Sequence, residues 1–417
     1  MIKNLIKIYF QVDNNDKFYF FILSLFPLAL IFGNLIINLF IFFLVISFFI
    51  NLKKNLFFIN NKIIYLLGFF LLSLIINIFF SLIPENSLPR VLKIFFILLI
   101  TVDTARVFNR YNEKIISNIF LVWSLVFLIV IFDCIFEIIF GFNTLGFSTT
   151  LTGRIASFFG DELIVGAYVH GFALVFLAYL VYKNSNNYFL FFCILSIIVV
   201  SFLIGERSNF MKLFFSIMIF TFVGVKIKYI YKLSSFVLIS LFIIGFLNFN
   251  KDYKYRYYYQ IEALFKKDGL SNFYKNSQYG AHQNTAIKIF FEYPSFGVGI
   301  KNFRYESIKE KYHNEEYKSS NARQATHPHQ VHLEFLSETG IFGYVSFLIF
   351  ILSSIIICLK NYLKNRNIFQ LACLIFIFTS LFPLIPSGSF LSTFNSGIFW
   401  INYLVMIGLY KNLYSKF

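Results

Sequence analysis

Three histidines are crowded into one short passage of a chain that is otherwise strongly apolar. The segment ATHPHQVHLEFLSETGIFG, residues 325–343, contains His327, His329 and His332, and the whole chain has only 6 histidines. A neutral imidazole can accept a proton near physiological pH, so it can serve a substrate as a base or as a hydrogen-bond donor. The alternative is that these histidines only lie on the surface at the end of a helix.

A zinc site is a further interpretation of the same passage. His329 and His332 would supply half of the ligands that zinc requires, and Glu334 or Glu338 would have to supply the rest. The 4 cysteines of the chain all lie inside apolar runs, away from the histidines and without metal-ligand spacing. We therefore predict no metal ion, and we expect buried thiols instead of a disulfide framework.

Three short connections between apolar segments each carry an arginine, at Arg90, Arg154 and Arg207. Arginine presents a planar fork that grips phosphate oxygens in pairs, whereas lysine acts as a point charge. These side chains either snorkel from helix ends to a membrane surface or bind an anionic substrate there. Most of the other cations lie at the opposite ends of the same apolar segments. The presence of three arginines on the side with few cations therefore needs a separate explanation. An anionic substrate supplies one.

Arg207 is the strongest candidate among these arginines. The stretch SFLIGERSNFMKL places Glu206 and Arg207 between two apolar segments with almost no loop. Ionisable groups at such a position are costly and indicate a functional site by default. Glu206 either belongs to that site or only neutralises Arg207. Asp133 and Glu137, one helical turn apart, belong either to the same polar cluster or to a structural ion-pair network.

The elements that carry these residues are predicted to be membrane helices. Hydrophobic residues make up 58% of the 417 positions and charged residues only 13%, against roughly 25% charged residues in a soluble domain. We predict an all-α polytopic integral membrane protein with about 12 transmembrane helices of roughly 20 residues each. The expected helices cover residues 18–32, 34–50, 62–82, 91–108, 115–140, 162–182, 187–204, 209–225, 232–249, 340–359, 367–384 and 395–411.

Charge distribution predicts the orientation of these helices. With the N-terminus inside, one face collects most of the lysines and arginines of the short loops. The positive-inside rule then places both termini of this multi-pass protein in the cytoplasm and the three arginine-bearing loops on the outer, periplasmic side. We expect the first apolar segment to be a retained helix and not a cleaved signal peptide.

One connection is far longer than the others and divides the chain. Residues 250–330 are polar, and we predict a large periplasmic loop here, between the ninth and tenth transmembrane helices. Long loops cross a membrane largely regardless of their charge. The predicted units are therefore transmembrane helices in residues 1–249, the loop in residues 250–330, and transmembrane helices in residues 331–417.

Three helices are predicted in and just after this loop. KYRYYYQIEALFKK is expected to be amphipathic and to lie along the membrane surface. A helix in NTAIKIFFEYPSFGVGIKNF should end at Pro294, before a glycine-rich turn. A third helix, beginning near Asn321 or Thr326, would place His329 on one stripe with Leu333 and later glycines.

Two other function classes fit the composition less well. The net charge of +16 is explained better by cationic loops that orient a membrane protein than by nucleic-acid binding, so we predict no nucleic-acid partner. A transporter of an anionic lipid or solute would also have many helices with polar groups inside them. Secondary transporters, however, often have repeated halves with broken helices in matching positions, and this sequence shows no such pairing.

Several motifs together resemble the O-antigen ligase and polymerase family of bacterial membrane glycosyltransferases. The pattern HxxxLxxLxExGxxG begins at His329, and Gln330 stands where the family usually has asparagine. The stretches RIASFFGDELIVGAYV from Arg154, GERSNF around Arg207 and YPSFGVGIKNFR up to Arg304 are also similar to that family. The order of the helices and the place of the large loop match as well, so the resemblance covers most of the chain.

This resemblance implies a reaction in lipopolysaccharide biosynthesis. Such enzymes take a glycan linked through diphosphate to undecaprenol in the outer leaflet and move it onto an acceptor hydroxyl. The acceptor is a sugar of the lipid A core for a ligase and another lipid-linked repeat unit for a polymerase. Protein O-oligosaccharyltransferases of the family use a protein. The implied partners are therefore the lipid-linked glycan, a glycan or other acceptor, and membrane lipids.

The candidate residues suit this chemistry. His329 would orient or deprotonate the incoming hydroxyl, while Arg207 and Arg304 would stabilise the charge on the leaving diphosphate. Attack opposite the diphosphate would invert the anomeric carbon. The sequence has no Asp-x-Asp motif, so we predict no metal, no cofactor and no nucleotide sugar. The residues expected to bind the diphosphate or the acceptor are Arg154, Arg90, Glu206, Gln330 and His332.

Overall fold

The computed structural model is helical throughout the residues that it describes, which are 11–59, 61–149, 151, 153–265, 269–317 and 320–410. None of these residues forms a β-strand, and the predicted all-α class is confirmed. The two chain ends, whose cytoplasmic placement was predicted, lie outside the described residues.

Each of the twelve expected apolar segments contains a helix, and most helix bounds lie within a few residues of the predicted ones. One further long helix, α10, belongs to the large loop. In chain order the helices are α1 Asn14–Ile31, α2 Asn34–Ile50, α3 Lys62–Phe80, α4 Pro84–Arg110, α5 Glu113–Phe140, α6 Val165–Tyr182, α7 Asn187–Leu203, α8 Arg207–Gly224, α9 Tyr229–Phe249, α10 Gln278–Glu292, α11 Val331–Asn365, α12 Ile368–Ser380 and α13 Thr393–Gly408.

Five of these helices are long and apolar enough to cross a membrane by length and composition, namely α3, α5, α6, α9 and α11. Three further apolar helices, α2, α7 and α12, are shorter. Helices of this length and composition are typical of integral membrane proteins. The all-α membrane class that the composition predicted is therefore supported.

Arg90 lies within a helix and not on a short loop as predicted. α4 begins at Pro84, which suits the first turn of a helix because its missing N–H would be unpaired there anyway. The first two turns of α4, PENSLPR, are mostly polar, so the helix extends beyond the apolar run that predicted it. Arg90 consequently projects from a fixed helical backbone.

The large connection between α9 and α11 is mostly built from short helices. Helix α10 ends at Glu292, two residues before Pro294, as predicted. The described part of the KYRYYYQIEALFKK stretch, up to Phe265, is also helical, with a π-helical turn at Tyr255–Tyr259. The remaining short elements of the described chain are Leu52–Leu56, Ser157–Glu162, Lys251–Lys254, Gln260–Phe265, Gly269–Asn276, Phe303–Glu306, Glu310–Tyr312 and Ser320–Arg323.

The helix expected to begin near Asn321 or Thr326 does not run through the histidine passage. Instead α11 begins at Val331, because the Gln330 side chain caps it by accepting a hydrogen bond from the backbone N–H three residues later, at 2.6 Å. His329 therefore precedes the helix, in a left-handed conformation with a φ of 55°. The prediction that it shares a helical stripe with later residues of the motif is wrong.

Several connections meet at one end of the bundle, which we call the loop face. The backbone N–H of Ser387 donates to the carbonyl of His329 at 2.9 Å, and the Arg256 side chain donates to the carbonyl of Gly205 at 2.7 Å. Similar hydrogen bonds join the other connections of this end to one another. The segments that meet at the loop face are the described residues within 81–84, 141–164, 204–206, 250–330 and 381–392.

The opposite end of the bundle is fastened by a buried ion network. Arg106 of α4 lies 2.7 Å from the carboxylates of both Asp16 and Asp103, and its side chain is only 3% exposed. The Ser47 hydroxyl donates to Asp103 at 2.8 Å. This network joins α1, α2 and α4 at the face that lies away from the candidate site.

The space between the helices is filled by aromatic side chains. Phe70 of α3 stacks on Phe350 of α11 with ring centroids 5.6 Å apart, and Trp123 packs edge-on against Phe172. All four cysteines are free thiols, three of them buried. The rigid bundle thus formed supports the loop face from below.

Candidate functional site

A break in α11 joins two of the sequence motifs. Gly340 has a φ of 63° and a ψ of −169°, a conformation that is essentially restricted to glycine. The break leaves the carbonyls of Ser337 and Glu338 without helical partners, and they accept hydrogen bonds from Val298 and Gly299, at 3.0 and 2.9 Å. The glycine-rich turn of the large loop is thereby attached to α11.

The same attachment continues on the other side of the break. Ile341 donates to the carbonyl of Pro294 at 2.8 Å. A Cβ on Gly340 would lie 2.3 Å from the carbonyl oxygen of Ser295, and a Cβ on Gly297 would lie 2.5 Å from the carbonyl carbon of Glu338. Both glycines are therefore required by close backbone contact. Their contact fixes the position of the loop residues that follow.

Three imidazoles converge next to this attachment. The ring of His329 lies 4.0 Å from the ring of His327 and 5.1 Å from the ring of His282, which comes from α10. Nε2 of His282 lies 2.6 Å from the carbonyl oxygen of Ala322, so it carries the proton in a neutral ring. Tyr279 also contacts His329. Although the three rings are neighbours, no group of three or more His, Cys, Asp or Glu side chains in the described part of the chain is arranged so that it could hold a metal ion.

The environment of this cluster keeps its imidazoles neutral. Burial lowers the pKa of His329 to about 3, and the neighbouring His327 and His282 act in the same direction. Burial also lowers the pKa of His327 to about 3 and lowers that of His282. A neutral imidazole can accept a proton or a hydrogen bond from a substrate. His329 is therefore neutral and can accept a hydrogen bond, although its lowered pKa makes it a weaker base than an ordinary imidazole.

Cations surround the imidazoles on the side toward α4. Lys301 follows the glycine-rich turn, is 7% exposed and has a left-handed φ of 66°. Burial lowers its pKa, although Glu334, at 3.9 Å, acts in the opposite direction. The positive charge of Arg304 lies close enough to lower the pKa values of Lys301, Arg90 and His327. The site thus combines neutral imidazoles with several cations, which suits an anionic ligand.

Hydroxyl groups at the start of α13 and in the connection before it hold these cations in place. Arg90 and Lys93 of α4 both donate to the hydroxyl of Thr393, at 3.1 and 2.8 Å. Lys301 donates to the hydroxyl of Ser389, which in turn donates to the carboxylate of Glu334. Four parts of the chain, α4, the large loop, α11 and the α12–α13 connection, therefore build one cationic group.

Arg207 belongs to a second cationic group on the loop face. It donates to the carbonyl of Arg256 at 3.0 Å, and Arg154 lies 3.6 Å from the carboxylate of Glu206. Glu206 is 9% exposed and also accepts hydrogen bonds from Asn209 and from the N–H of Gly166. Burial raises the pKa of Glu206, while Arg154 and Arg256 act in the opposite direction.

The structure brings the predicted site residues together in two sets. His329 lies with Arg304 and Arg90, while Arg207 lies with Arg154 and Glu206. Glu206 was predicted either to belong to the site or only to neutralise Arg207. The guanidinium that lies next to Glu206 is that of Arg154. Both sets lie on the loop face, and the convergence of Arg207 and His329 around one ligand stays a prediction.

Two residues of the histidine passage support the backbone of the site. Gln330 caps α11 and donates to the carbonyl of Pro383 at 3.2 Å. His332 lies 2.8 Å from the carbonyl oxygen of Leu381 and 3.1 Å from the hydroxyl of Tyr344. The side chain of His332 is thus turned toward the α12–α13 connection and does not join the imidazole cluster.

The acidic pair near the end of α5 shapes the neighbouring connection. Asp133 accepts hydrogen bonds from the hydroxyls of Thr144 and Ser157, both at 2.6 Å. Glu137 accepts from the backbone N–H groups of Ala156 and Ser157. These contacts favour a structural role for Asp133 and Glu137. The two carboxylates hold a loop by hydrogen bonds, however, and not by the ion pairs that were predicted.

Sequence reasoning missed four residues of the two groups, namely Lys93, Lys301, Arg256 and His282. Lys93 carried a signal, because a cation inside a predicted membrane helix is costly and indicates function. Lys301 and Arg256 lie in a loop rich in cations, where no single one stands out. His282 lies 47 residues before His329 in the sequence, and only the packing of α10 brings it to the site.

The comparison with protein families bears directly on this geometry. Residues 191–348 match the family model described as O-antigen ligase. This part of the chain is therefore similar to the O-antigen ligase and polymerase family, and the resemblance that the motifs predicted is confirmed. A comparison with curated proteins finds no match. The matched residues run from α7 to α11 and contain Arg207, the large loop and the histidine passage.

Similarity to the O-antigen ligase family supports an enzymatic role, because the family consists of glycosyltransferase-like ligases and polymerases. It also implies lipid-linked glycan substrates and glycan acceptors. The family match covers both motifs that meet at Gly340. Three of the cations, Arg90, Lys93 and Arg154, precede the matched residues in the sequence. Tertiary contacts bring them to the loop face beside the matched region.

Proposed function

We propose that this chain is an O-antigen ligase-like glycosyltransferase. It moves a glycan from undecaprenyl diphosphate to an acceptor hydroxyl of the lipid A core, at the periplasmic face of the bacterial inner membrane. The observation that carries the proposal is the combination of a neutral imidazole, His329, with the buried cations of the loop face, inside the region that matches the family. This combination suits a reaction in which a hydroxyl attacks and a diphosphate leaves.

In this proposal α1–α9 and α11–α13 all cross the membrane. Both termini then lie in the cytoplasm and the loop face lies in the periplasm, as the charge distribution predicts. The hydrogen bonds among the connections of the loop face support this arrangement, since they require those connections to share one side. The buried Arg106 network then lies at the cytoplasmic side.

The donor diphosphate binds to cations on the loop face. Arg304 has a buried Nε without a hydrogen-bond partner among the described residues, and Arg90 approaches from a rigid helix. Guanidinium forks suit the paired oxygens of a phosphate and stabilise charge that develops as the glycosidic bond breaks. Arg207 and Arg154 contribute from the second group, where Glu206 holds Arg154 in position. Attack opposite the diphosphate inverts the anomeric carbon.

His329 orients or deprotonates the acceptor hydroxyl. Its lowered pKa keeps it unprotonated, and its position before α11 leaves the ring partly accessible while the backbone is fixed by Ser387. The leaving group is already activated by its diphosphate bond, so the residues present account for the chemistry without a metal. Gln330 and His332 act as positioning residues for this segment through their contacts with the α12–α13 connection.

The acceptor distinguishes the ligase from its alternatives. A polymerase or a protein O-oligosaccharyltransferase of the same family would use the same donor site with a different acceptor. A transporter of anionic lipid or solute would change no covalent bond, and the family match argues against it. The proposal commits to the ligase because the family model is described as O-antigen ligase.

Deletion of the gene followed by analysis of surface polysaccharide tests the proposal. We expect lipid-linked polymer to accumulate while the lipid A core loses its attached glycan, and we expect the wild-type gene, but not His329→Ala, to restore attachment. Single repeat units on the core would instead indicate a polymerase. An unchanged core glycan with loss of glycan from proteins would indicate the protein acceptor.

A further inference from the structure

His327 is a buried imidazole to which the proposed reaction assigns no role. It is 9% exposed, and its Nδ1 lies 2.9 Å from the hydroxyl oxygen of Thr326. Its Nε2 is buried and has no hydrogen-bond partner in the described part of the chain. Because an unsatisfied buried polar atom costs stability, a fold that retains one at a candidate site indicates a ligand that pairs with it.

The charges around this ring define the ligand that fits. Burial lowers the pKa of His327 to about 3, and Lys301 and Arg304 act in the same direction. An interaction with the backbone of Ser387 acts in the opposite direction, but it does not reach hydrogen-bond geometry at Nε2. The ring therefore stays neutral while it faces two cations. An anion bound between the cations and Nε2 would favour the tautomer with the proton on Nε2. The Thr326 hydroxyl can donate to Nδ1 in that tautomer.

Arg304 provides a second observation that points to the same ligand. Its Nε is also buried without a partner among the described residues. Two buried nitrogens without a hydrogen-bond partner among the described residues, one on His327 and one on Arg304, thus lie close to Lys301 and to each other's charge. A group with several acceptor oxygens, such as a diphosphate, can satisfy both donors at once.

We propose that His327 binds the donor diphosphate by donating a hydrogen bond from Nε2 to one of its phosphate oxygens, beside Arg304 and Lys301. This inference rests on the proposed function and deepens it. The two neighbouring imidazoles then have separate tasks, since His327 binds the leaving group and His329 serves the acceptor hydroxyl. The 4.0 Å between their rings is short enough for the two imidazoles to serve the attacking hydroxyl and the leaving diphosphate on opposite sides of one anomeric carbon.

Two substitutions of His327 separate a donor role from a structural one. The amide nitrogen of glutamine reaches about as far as Nε2, whereas that of asparagine reaches only about as far as Nδ1. His327→Gln should therefore retain the hydrogen bond to the diphosphate, and His327→Asn should lose it. A residue that acted as a base would lose its role in both variants.

Binding of geranylgeranyl diphosphate to the purified full-length protein in detergent is the measurement. This probe carries a diphosphate on an isoprenoid but no glycan, so it tests the donor site without transfer. We expect His327→Asn to raise Kd on the order of tenfold or more, as for loss of a charge-assisted hydrogen bond. We expect His327→Gln to stay within a few-fold of the wild type.

The possible outcomes distinguish this inference from the proposed function. If the wild type binds no diphosphate, the donor site of the proposed function fails, and the role of His327 fails with it. If the wild type binds and His327→Asn binds equally well, only the role of His327 is overturned. A variant that raises KM for the acceptor alone, with unchanged diphosphate binding, also overturns it.

Thermal unfolding of each variant shows whether it has folded. If His327→Asn does not fold, Thr326→Val tests the same claim at an exposed position. It removes the hydroxyl that donates to Nδ1 and leaves the imidazole in place. We expect a Kd that is a few-fold weaker, because the proton is then no longer held on Nε2. A Kd equal to that of the wild type would count against the donor role.

Discussion

Replacing Gly340 by alanine should damage the site from a distance, through the backbone. Its φ of 63° and ψ of −169° lie where a non-glycine residue costs about 1–3 kcal/mol. The new Cβ would also lie 2.3 Å from the carbonyl oxygen of Ser295, so the two backbones must separate. Losing even one or two of the hydrogen bonds that join them costs about 1 kcal/mol each.

These contributions sum to about 3 kcal/mol or more, which corresponds to roughly a hundredfold in the ratio of folded to unfolded protein. The assay is thermal unfolding of the detergent-purified protein together with glycan transfer. Gly68→Ala is the matched control, because Gly68 lies within α3 and its Cβ would meet only the Leu98 side chain, at 4.0 Å. Equal melting temperatures and equal transfer rates for the two variants would refute the role of the backbone attachment.

Four further predictions concern the two ends of the bundle. His329→Ala should abolish transfer without lowering the melting temperature greatly, and near wild-type turnover would remove His329 from the mechanism. Arg207→Lys keeps the charge but loses the planar fork, so transfer should fall at least roughly tenfold; full activity would mean that charge alone suffices. Arg106→Ala leaves the buried carboxylate of Asp103 without an ion pair among the described residues and should cost about 3–5 kcal/mol in unfolding, although it lies away from the site. In the folded chain the pKa values of His327 and His329 are lowered to about 3, whereas an imidazole of the unfolded chain has a pKa of about 6.5. Below pH 6.5 the unfolded chain therefore binds more protons than the folded chain. Stability should therefore fall as the pH drops from about 6.5 toward 3, with a smaller drop in His327→Gln.

Helix positions were predictable because a membrane helix depends on a long apolar run, and such runs are visible in the sequence. Prediction was weaker wherever a polar segment extends a helix. The start of α4 at Pro84 and the start of α11 at Val331 both fall outside the apolar runs. At those points caps and prolines decide the boundary. The position of Arg90 was wrong for this reason.

The site was predictable in its residue types and only partly in its arrangement. His329, Arg207 and Arg304 stood out by spacing, by topology and by the family motifs. The grouping depends on tertiary contacts between distant segments, such as the packing of α10 that places His282 beside His329. The left-handed backbone of His329 also could not be inferred, since helical periodicity predicted a regular helix there.

The glycines of the two family motifs illustrate what only coordinates can add. Both stretches, PSFGVG and ETGIFG, were recognised as similar to the family, but their sequence separation of about 40 residues gave no reason for a contact. In the structure each motif supplies the hydrogen-bond partners that the other lacks. Their physical role is therefore to place Lys301 and Arg304 next to the start of α11.

Release of the lipid diphosphate tests the central claim most directly. The purified protein is reconstituted into vesicles with undecaprenyl diphosphate-linked glycan and added lipid A core, and both products are measured by mass spectrometry. We predict that the wild type releases one undecaprenyl diphosphate for each glycan attached to core, and that His329→Ala releases none. Attachment without release of the lipid diphosphate, or an equal rate of release by His329→Ala, would contradict the account.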